Sequence, residues 1–350
     1  RLITLRSAVQ IRPPQPNWEI RMNFKITIKK ILSNFYKKLS PTTQLNIHNY
    51  ITSEESEKRF LKPEIFDAIF FELRTRCNSK CDFCAASIQN EIRPDISMPF
   101  YIYKKAIDEL SELNYSNVIA YHTNNEPLLV KNLLDYVKYA REKVPNAWIQ
   151  ILTNGKSLNN KNGEELLKNG INELSINIYS DNGKFEVPKN IIKFENEVLS
   201  KFYKKKNIKS TENNLNFIND EFKNKKKSKI FIYNKFKRSI GEILSNRANS
   251  SPNKKINKIP KLGFCYYPFS QFNVTVNGVV SHCCADFYFS NEMGNIQYQK
   301  LIDIWNGDKF FKIRNNLKNH SRDEETMCAG CDTFGVYKPR NIFKRILYRY

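Results

Sequence analysis

Apolar and polar positions along the middle of the chain form blocks whose spacing is typical of alternating strands and helices. Short, densely apolar runs predict buried strands. They are AIFFEL (68–73), NVIAYH (117–122), AWIQILT (147–153), ELSINIYS (173–180) and SKIFIYN (228–234). Amphipathic stretches between them predict helices at 99–113, 128–142, 163–169 and 186–205. This order predicts an α/β domain over residues 66–257, in which helices cover a parallel sheet.

Two later segments break this pattern. Residues 203–228 are polar and rich in lysine and asparagine, so we expect a mobile insertion there. From about residue 258 the chain changes to short strands, glycine-containing turns and five cysteines, which predicts a second, smaller α+β domain over 258–335. A chain of 350 residues is long enough for both domains.

The two ends of the chain differ in composition from the middle. Residues 1–21 hold four arginines, no lysine and a proline-rich centre, and we expect them to be poorly ordered and to precede a true start at Met22. The segment 22–65 begins with a basic amphipathic helix, and the tail 336–350 repeats the mixture of basic and apolar residues. Such ends can lie on an anionic membrane surface, but packing of their apolar stripe on the protein body is the favoured interpretation.

Composition narrows the class of protein. Hydrophobic residues make up 41% and aromatic residues 13% of the chain, which is ample for a packed core. No run approaches the roughly 18–20 apolar residues of a membrane-spanning helix, and we see no secretory leader. A cytoplasmic location is therefore expected, with peripheral contact at the inner face of the membrane as an alternative. The net charge of +22 rests on lysine-rich segments such as KNKKKSK (223–229), which are more typical of solvated surfaces than of a nucleic-acid groove.

The stretch RCNSKCDFC (76–84) carries the most informative chemistry in the chain. It places Cys77, Cys81 and Cys84 at the spacing C-x3-C-x2-C directly after a predicted strand. Clustered thiols in a chain of this length are more typical of metal ligands in a reducing compartment than of a disulfide framework. A zinc site normally closes with four protein ligands, whereas a [4Fe–4S] cluster held by three thiolates keeps one iron open for a further ligand.

This motif resembles the C-x3-C-x-aromatic-C signature of the radical S-adenosylmethionine (SAM) superfamily, with Phe83 as the aromatic residue. The resemblance implies a partial (β/α)6 TIM-type barrel and a [4Fe–4S] cluster whose open iron binds SAM. It also implies that an electron from the cluster cleaves SAM to methionine and a 5′-deoxyadenosyl radical, which abstracts a hydrogen atom from the substrate. A reductase, flavodoxin or ferredoxin would then be the partner that supplies the electron.

Further motifs of the family follow in the expected order. NNEPLL (124–129) resembles the Gly-Gly-Glu-Pro segment that holds the methionine amino group of SAM, although asparagines replace both glycines. Asparagine tolerates left-handed backbone, so the turn can survive this change. TNG (153–155) and LSIN (174–177) resemble two later family segments, although Thr153 and Ser175 can equally be ordinary turn or sheet residues. The cofactor contacts that the resemblance implies are Phe83, Asn124, Asn125, Glu126, Thr153, Ser175 and Asn177.

The second domain supplies four more candidate metal ligands. They are Cys265, Cys283, Cys328 and Cys331. The first two flank a hairpin that is predicted to turn at Asn277-Gly278. This region resembles the SPASM and twitch auxiliary-cluster domains, a branch that includes a dehydrogenase of aminocyclitol antibiotic synthesis. Four thiolates suffice for one auxiliary [4Fe–4S] cluster, with zinc as the alternative occupant, and Cys284 is left as a spare ligand or a bystander.

Two residues are candidates for catalytic contact with a substrate. Arg247 lies ahead of the auxiliary cysteines, where a residue at the end of the barrel could reach the substrate. Because arginine is a poor base by its reference pKa, orientation or anion binding is its expected role. His122 ends the second predicted strand, and a hydrogen-bonded core histidine is the alternative interpretation.

Three functions stay open at this point. The leading hypothesis is an enzyme that oxidises or rearranges a sugar, cyclitol or related small metabolite, with the auxiliary cluster as electron acceptor. A second enzyme class modifies ribosomally made peptides. The third hypothesis is a zinc-stabilised basic protein that binds nucleic acid or a membrane, and of these two partners nucleic acid is disfavoured.

Anaerobic reconstitution with iron and sulfide separates the enzyme hypotheses from the zinc-stabilised protein. We expect absorbance from sulfide-to-iron charge transfer and an iron and sulfide content sufficient for two clusters, because the seven candidate cysteines provide three plus four ligands. Elemental analysis of the reconstituted protein measures this content. Tightly bound zinc without sulfide would contradict the prediction and support the binding protein.

Overall fold

We describe the fold from a computed structural model. It describes residues 65–179, 186–202, 204–207, 215–219, 228–234, 245–256, 264–319 and 321–333, together with short pieces between 38 and 47. The described residues from 65 onward belong to one compact unit, and the short pieces belong to another. In that second unit the Ser40 and Thr43 hydroxyls are hydrogen bonded at 2.8 Å. The predictions for residues 1–21, for the amphipathic helix that begins at Met22 and for the tail 336–350 lie outside the described residues.

One sheet organises the larger unit. Its strands are β1 (Ala68–Phe71), β2 (Val118–Ala120), β3 (Trp148–Thr153), β4 (Glu173–Ile178), β5 (Lys204–Asn207), β6 (Leu215–Asn219), β7 (Ser228–Asn234), β8 (Gln271–Val274), β9 (Val279–Ser281) and β10 (Glu292–Asn295). Their order is β10-β9-β8-β1-β2-β3-β4-β7-β6-β5. The six neighbours from β8 to β7 run parallel, and the strand pairs at both ends are antiparallel. The predicted α/β class with a parallel, partial-barrel sheet is confirmed.

Helices cover the sheet between its parallel strands. They are α1 (Ala85–Ile92), α2 (Phe100–Glu112), α3 (Leu133–Lys143), α4 (Asn160–Lys168), α5 (Lys189–Phe194), α6 (Leu301–Trp305), α7 (Asp308–Lys318) and α8 (Thr326–Ala329). A π-helical turn, Glu195–Leu199, and a last turn, Ser200–Phe202, continue α5. Apolar residues at helical spacing bury one face of α2, as amphipathic helices do against a sheet. Among the described helices, none has the length and apolar character required to cross a bilayer.

The segment 203–228 contains more structure than its composition predicted. Strands β5 and β6 lie within it and pair antiparallel with each other, and β6 continues onto β7. The lysine- and asparagine-rich segment thus contributes two strands to the edge of the sheet, and its mobility stays a prediction. Low hydrophobicity favours disorder only where the backbone finds no partner, and here the open edge of β7 provides hydrogen bonds to the backbone of β6.

The C-terminal region, whose predicted start lies at residue 258, joins the same sheet. The hairpin of the C-terminal region does not form a separate sheet, because β8 pairs parallel with β1 from Ala68↔Gln271 to Phe71↔Val274. The pairing continues past the strand, where the Glu72 N–H donates to the Val274 carbonyl at 2.8 Å. An open barrel leaves one side of β1 without a strand, and β8 fills that position.

An aromatic cluster holds the C-terminal region against β1. The rings of Phe66 and Phe272 stack at 4.7 Å, and Trp305 meets Phe66 edge-on at 5.4 Å. The Arg314 guanidinium lies 4.0 Å from the centroid of Trp305 and donates from Nε to the Pro268 carbonyl at 2.9 Å. Aromatic pairs of this kind contribute about 0.5–1.5 kcal/mol each beyond their buried area. The cluster therefore fixes β8, and with it the C-terminal cysteines, to the sheet.

Candidate active site

Parallel strands place their carboxyl ends at one edge of a sheet, and an open cavity of about 700 Å³ lies at that edge. The cavity brings together residues that are far apart in the sequence. Its lining includes these predicted site residues: Cys77, Cys81, Cys84, Phe83, His122, Asn124, Asn125, Glu126, Thr153, Asn177 and Arg247. Ser175 is the predicted cofactor contact that does not reach it.

The loop after β1 presents the three cysteines. The loop ends in a turn in which the Cys84 N–H donates a hydrogen bond to the Cys81 carbonyl at 3.1 Å, and α1 begins directly afterwards. The Ser87 hydroxyl donates to both of these residues' carbonyls, which ties the loop to the first turn of α1. Burial raises the pKa of the Cys77 thiol to about 11. None of the three cysteines forms a disulfide, so their thiols fit a metal that stabilises the thiolate form.

Asn154 supports this loop, a role that was not predicted for it. Its side-chain Nδ2 lies 3.7 Å from the Cys77 Sγ and donates to the Ser79 hydroxyl at 3.0 Å. Asn154 is the second residue of the TNG segment, directly after β3, so the family motif itself was the signal that could have identified it. The loop after β1 and the end of β3 are thereby held together.

Glu126 is a buried carboxylate in the wall of the cavity. Its side chain accepts hydrogen bonds from the Thr153 hydroxyl at 2.6 Å, the Asn154 N–H at 2.8 Å and the Leu128 N–H at 3.0 Å. Burial raises its pKa, and these three donors oppose the rise. A buried carboxylate beside a cavity needs a cationic partner, and the amino group of SAM is such a partner. Thr153 acts here by holding the Glu126 carboxylate.

Four buried polar atoms after β2 have no hydrogen-bond partner among the described residues. They are His122 Nδ1, Thr123 Oγ1, Asn124 Oδ1 and Asn125 Nδ2. Buried polar groups are normally satisfied, so a set of four on one wall indicates a ligand with several hydrogen-bonding groups. Burial lowers the pKa of His122 to about 4, which favours a neutral imidazole at physiological pH.

The turn in which Asn124 and Asn125 replace the two glycines of the family motif is held by a side chain. Neither Asn124 nor Asn125 has a positive φ, so the turn does not use the left-handed backbone that asparagine tolerates. The Asn125 side chain accepts a hydrogen bond from the Thr123 N–H, two residues before it, at 3.1 Å.

Ser175 and Asn177 lie on the same face of β4, but only Asn177 reaches the cavity. Ser175 is two residues farther back along the strand, and its hydroxyl donates to the Glu173 carboxylate at 3.0 Å. The cofactor contact of Ser175 stays a prediction, and its position shows that the alternation of a strand specifies a face and not a depth.

Four further cysteines of the C-terminal region are buried together. They are Cys265, Cys283, Cys328 and Cys331, each less than a tenth exposed. Burial raises the pKa of Cys265 to about 11 and also raises the pKa of Cys331, whereas the buried guanidinium of Arg322 opposes both shifts. Four buried thiols with a nearby cation fit a metal centre that stabilises thiolates. No three Cys, His, Asp or Glu side chains in the described ranges converge at the spacing of a single-ion site.

Comparison with known proteins identifies the class. The family model of the radical SAM superfamily matches residues 72–235, and that of the SPASM iron–sulfur cluster-binding domain matches residues 265–332. The chain belongs to the radical SAM superfamily and is a radical SAM enzyme with a C-terminal SPASM domain. Its cofactors are accordingly a [4Fe–4S] cluster with SAM and an auxiliary iron–sulfur centre.

Among named proteins, the chain is similar to the S-adenosyl-L-methionine-dependent 2-deoxy-scyllo-inosamine dehydrogenase of Niallia circulans. The two are 27% identical over 274 residues, which cover 78% of this chain and 95% of that protein. The crystal structure of BtrN in complex with AdoMet and 2-DOIA matches with a TM-score of 0.59 and 26% identity, covering 77% of this chain and 94% of BtrN. BtrN in an open conformation shares the fold at a TM-score of 0.52 and 24% identity.

Replacing Glu126 with Gln should weaken SAM binding without changing cluster assembly. The change removes the buried negative charge that faces the cavity, and a hydrogen bond to a charged group contributes about 1.5–3 kcal/mol. We therefore expect the dissociation constant of SAM to rise by about tenfold to a hundredfold. Equilibrium binding of SAM and the iron content of the reconstituted variant measure the two effects. Glu112→Gln, at an exposed carboxylate, is the control, and unchanged SAM affinity in Glu126→Gln would contradict the assignment.

Proposed function

We propose that this enzyme oxidises a small polyhydroxylated substrate, of the cyclitol or sugar class, to a carbonyl compound by removing a hydrogen atom from carbon, a second electron and the hydroxyl proton. The observation that carries the proposal is the cavity in which the cysteine triplet, the buried Glu126 carboxylate and the unsatisfied polar atoms after β2 meet. Similarity to a dehydrogenase of 2-deoxy-scyllo-inosamine over 95% of its length supports the same class of substrate.

The polar character of the wall favours hydroxyl groups in the substrate. The unsatisfied atoms after β2 include an amide donor, an amide acceptor and a hydroxyl that serves as both. All belong to uncharged side chains, and the neighbouring imidazole of His122 is neutral. A hydroxyl group donates and accepts at once, so a ring that carries several hydroxyls matches this mixture of partners.

The residues of the cavity divide between cofactor and substrate. Cys77, Cys81 and Cys84 would hold the cluster, Glu126 the amino group of SAM, and Phe83 and Asn177 its remaining parts. When bound, the cluster and SAM supply the 5′-deoxyadenosyl radical that takes the hydrogen atom. The walls then exclude water and orient the substrate, with electrons arriving from a flavodoxin- or ferredoxin-type donor.

Arg247 would orient the substrate and not act as its base. Its guanidinium lies 5.4 Å from the centroid of Phe287, and both residues line the cavity. The reference pKa of arginine keeps it charged, so it can donate hydrogen bonds to a substrate oxygen. The low pKa of His122 likewise assigns that residue a hydrogen-bonding role in place of the catalytic proton transfer considered from the sequence.

A single auxiliary [4Fe–4S] cluster is the arrangement that we infer for the C-terminal region. The four buried cysteines would complete the coordination of one cluster and leave no iron open. A closed cluster suits acceptance of the second electron from the substrate better than direct substrate ligation.

Deuterium transfer tests the proposed reaction. With 2-deoxy-scyllo-inosamine deuterated at its hydroxyl-bearing carbons, we expect deuterium in 5′-deoxyadenosine, because hydrogen is taken from a C–H bond that becomes oxidised. Mass spectrometry of 5′-deoxyadenosine measures the label, and a panel of deuterated cyclitols and sugars extends the test. Label from a peptide, with none from the whole panel, would overturn the proposal in favour of peptide modification.

Loss of the auxiliary ligands should separate SAM cleavage from product formation. In the double variant Cys328→Ala/Cys331→Ala, we expect 5′-deoxyadenosine to form at a substantial fraction of the wild-type rate while oxidised product is lost. Quantification of both compounds after anaerobic turnover measures this ratio. Cys284→Ala is the matched control and should keep the iron content of the wild type. Full product formation by the double variant would exclude the electron-acceptor role.

A further inference from the structure

Three consecutive residues beside the cavity adopt left-handed backbone. Arg247, Ala248 and Asn249 have φ values of 48°, 53° and 66°. Residues with a Cβ rarely adopt this conformation, and several in succession persist only where the surroundings hold them. Strained backbone of this kind is typical of functional sites. We call the segment 245–251 the arginine turn.

The carboxylate of Asp332 holds the start of the arginine turn. It accepts hydrogen bonds from the Ser245 hydroxyl at 2.7 Å and from the Asn246 N–H at 2.9 Å to each oxygen. The Asn246 side chain in turn bonds to the backbone around Asp332. Its Oδ1 accepts from the Asp332 N–H at 3.2 Å, and its Nδ2 donates to the Gly330 carbonyl at 2.8 Å. In each of the two segments, therefore, a side chain is hydrogen bonded to the backbone of the other.

The segment that provides these bonds is the auxiliary ligand loop. Gly330 and Asp332 are the two neighbours of Cys331, one of the four buried cysteines.

On its other side the arginine turn contacts the substrate cavity. Arg247 lines the cavity together with the cysteine triplet. At the end of the turn, the Ser251 hydroxyl donates to the carbonyl of Phe83, which lies between Cys81 and Cys84, at 3.0 Å. The turn therefore joins the loop of the auxiliary cysteines to the loop of the radical SAM cysteines.

We propose that Asp332 is a positioning residue that fixes the arginine turn from the auxiliary ligand loop and so holds Arg247 at the substrate. The proposal rests on the substrate-orienting role assigned above to Arg247. It adds a mechanical task to the auxiliary region, because an ordered ligand loop is then required for substrate binding as well as for electron acceptance. SAM binding and cluster assembly at the cysteine triplet do not depend on this clamp.

Hydrogen exchange of the anaerobically reconstituted full chain tests the clamp without any substrate. In Asp332→Asn, backbone amides of residues 245–251 should exchange about tenfold faster or more, because several of their hydrogen bonds depend on the carboxylate. A peptide that covers β3 should exchange as in the wild type. Asp323→Asn, at an exposed carboxylate of the preceding turn, is the matched control and should change neither peptide.

A milder variant keeps the test decisive if Asp332→Asn assembles poorly. Ser245→Ala removes one donor to Asp332 and the acceptor of the Arg247 N–H, but it leaves the Asn246–Asp332 hydrogen bonds in place, so it should accelerate exchange in the same peptide by a smaller factor. Iron content verifies that both clusters are present. The proposal is overturned if both variants, Ser245→Ala and Asp332→Asn, carry their clusters and the amides of residues 245–251 still exchange at the wild-type rate in each.

Kinetics with 2-deoxy-scyllo-inosamine as the probe test the functional consequence. We expect Asp332→Asn to raise KM by about tenfold, while 5′-deoxyadenosine formation without the probe stays unchanged. Combining it with Arg247→Lys should add little further loss, because both changes act on one group. Faster exchange with an unchanged KM would overturn the positioning role. A wild type that does not oxidise the probe would count against the proposed function, and the exchange measurement would still decide the clamp.

Discussion

Parallel alignment of the strands β1 to β4 is the constraint on which the site depends. Because each strand ends at the same edge, four connections that are distant in sequence meet there, and their polar residues surround one cavity. The hydrogen bonds of Glu126 show how closely this assembly is coupled. The Glu126 carboxylate, after β2, accepts hydrogen bonds from the Thr153 side chain, which ends β3, and from the Asn154 N–H. Asn154 is also the residue whose side chain supports Cys77.

The C-terminal region extends this arrangement by joining the same sheet. Strand β8 pairs with β1, and the aromatic cluster around Trp305 packs behind it. The loop of the radical SAM cysteines follows β1, whereas Cys283 follows the β8–β9 hairpin. Both groups of cysteines are therefore attached to adjoining strands of one sheet. This shared support gives the arginine turn two fixed neighbours between which its strained backbone can be maintained.

The chemistry of the wall distinguishes this chain within its superfamily. Two asparagines in place of the Gly-Gly pair keep the turn through a side-chain hydrogen bond and add amide groups to the cavity. Burial keeps His122 neutral. Together with Thr123 they form an uncharged polar surface. Arg247 is the cation of the described lining, and the proposed substrate placement depends on its orientation.

Local patterns in the sequence were sufficient to predict the five parallel strands β1, β2, β3, β4 and β7. They also marked the cysteine triplet and the four auxiliary cysteines as candidate ligands, because periodicity and ligand spacing are properties of short segments. Only the tertiary structure decided which distant segments pair. It placed β8 beside β1, recruited β5 and β6 to the edge of β7, held Ser175 away from the cavity and brought Asp332 to the arginine turn. These outcomes depend on long-range backbone pairing and on depth within the fold, and neither quantity is encoded in the spacing of residues along one segment.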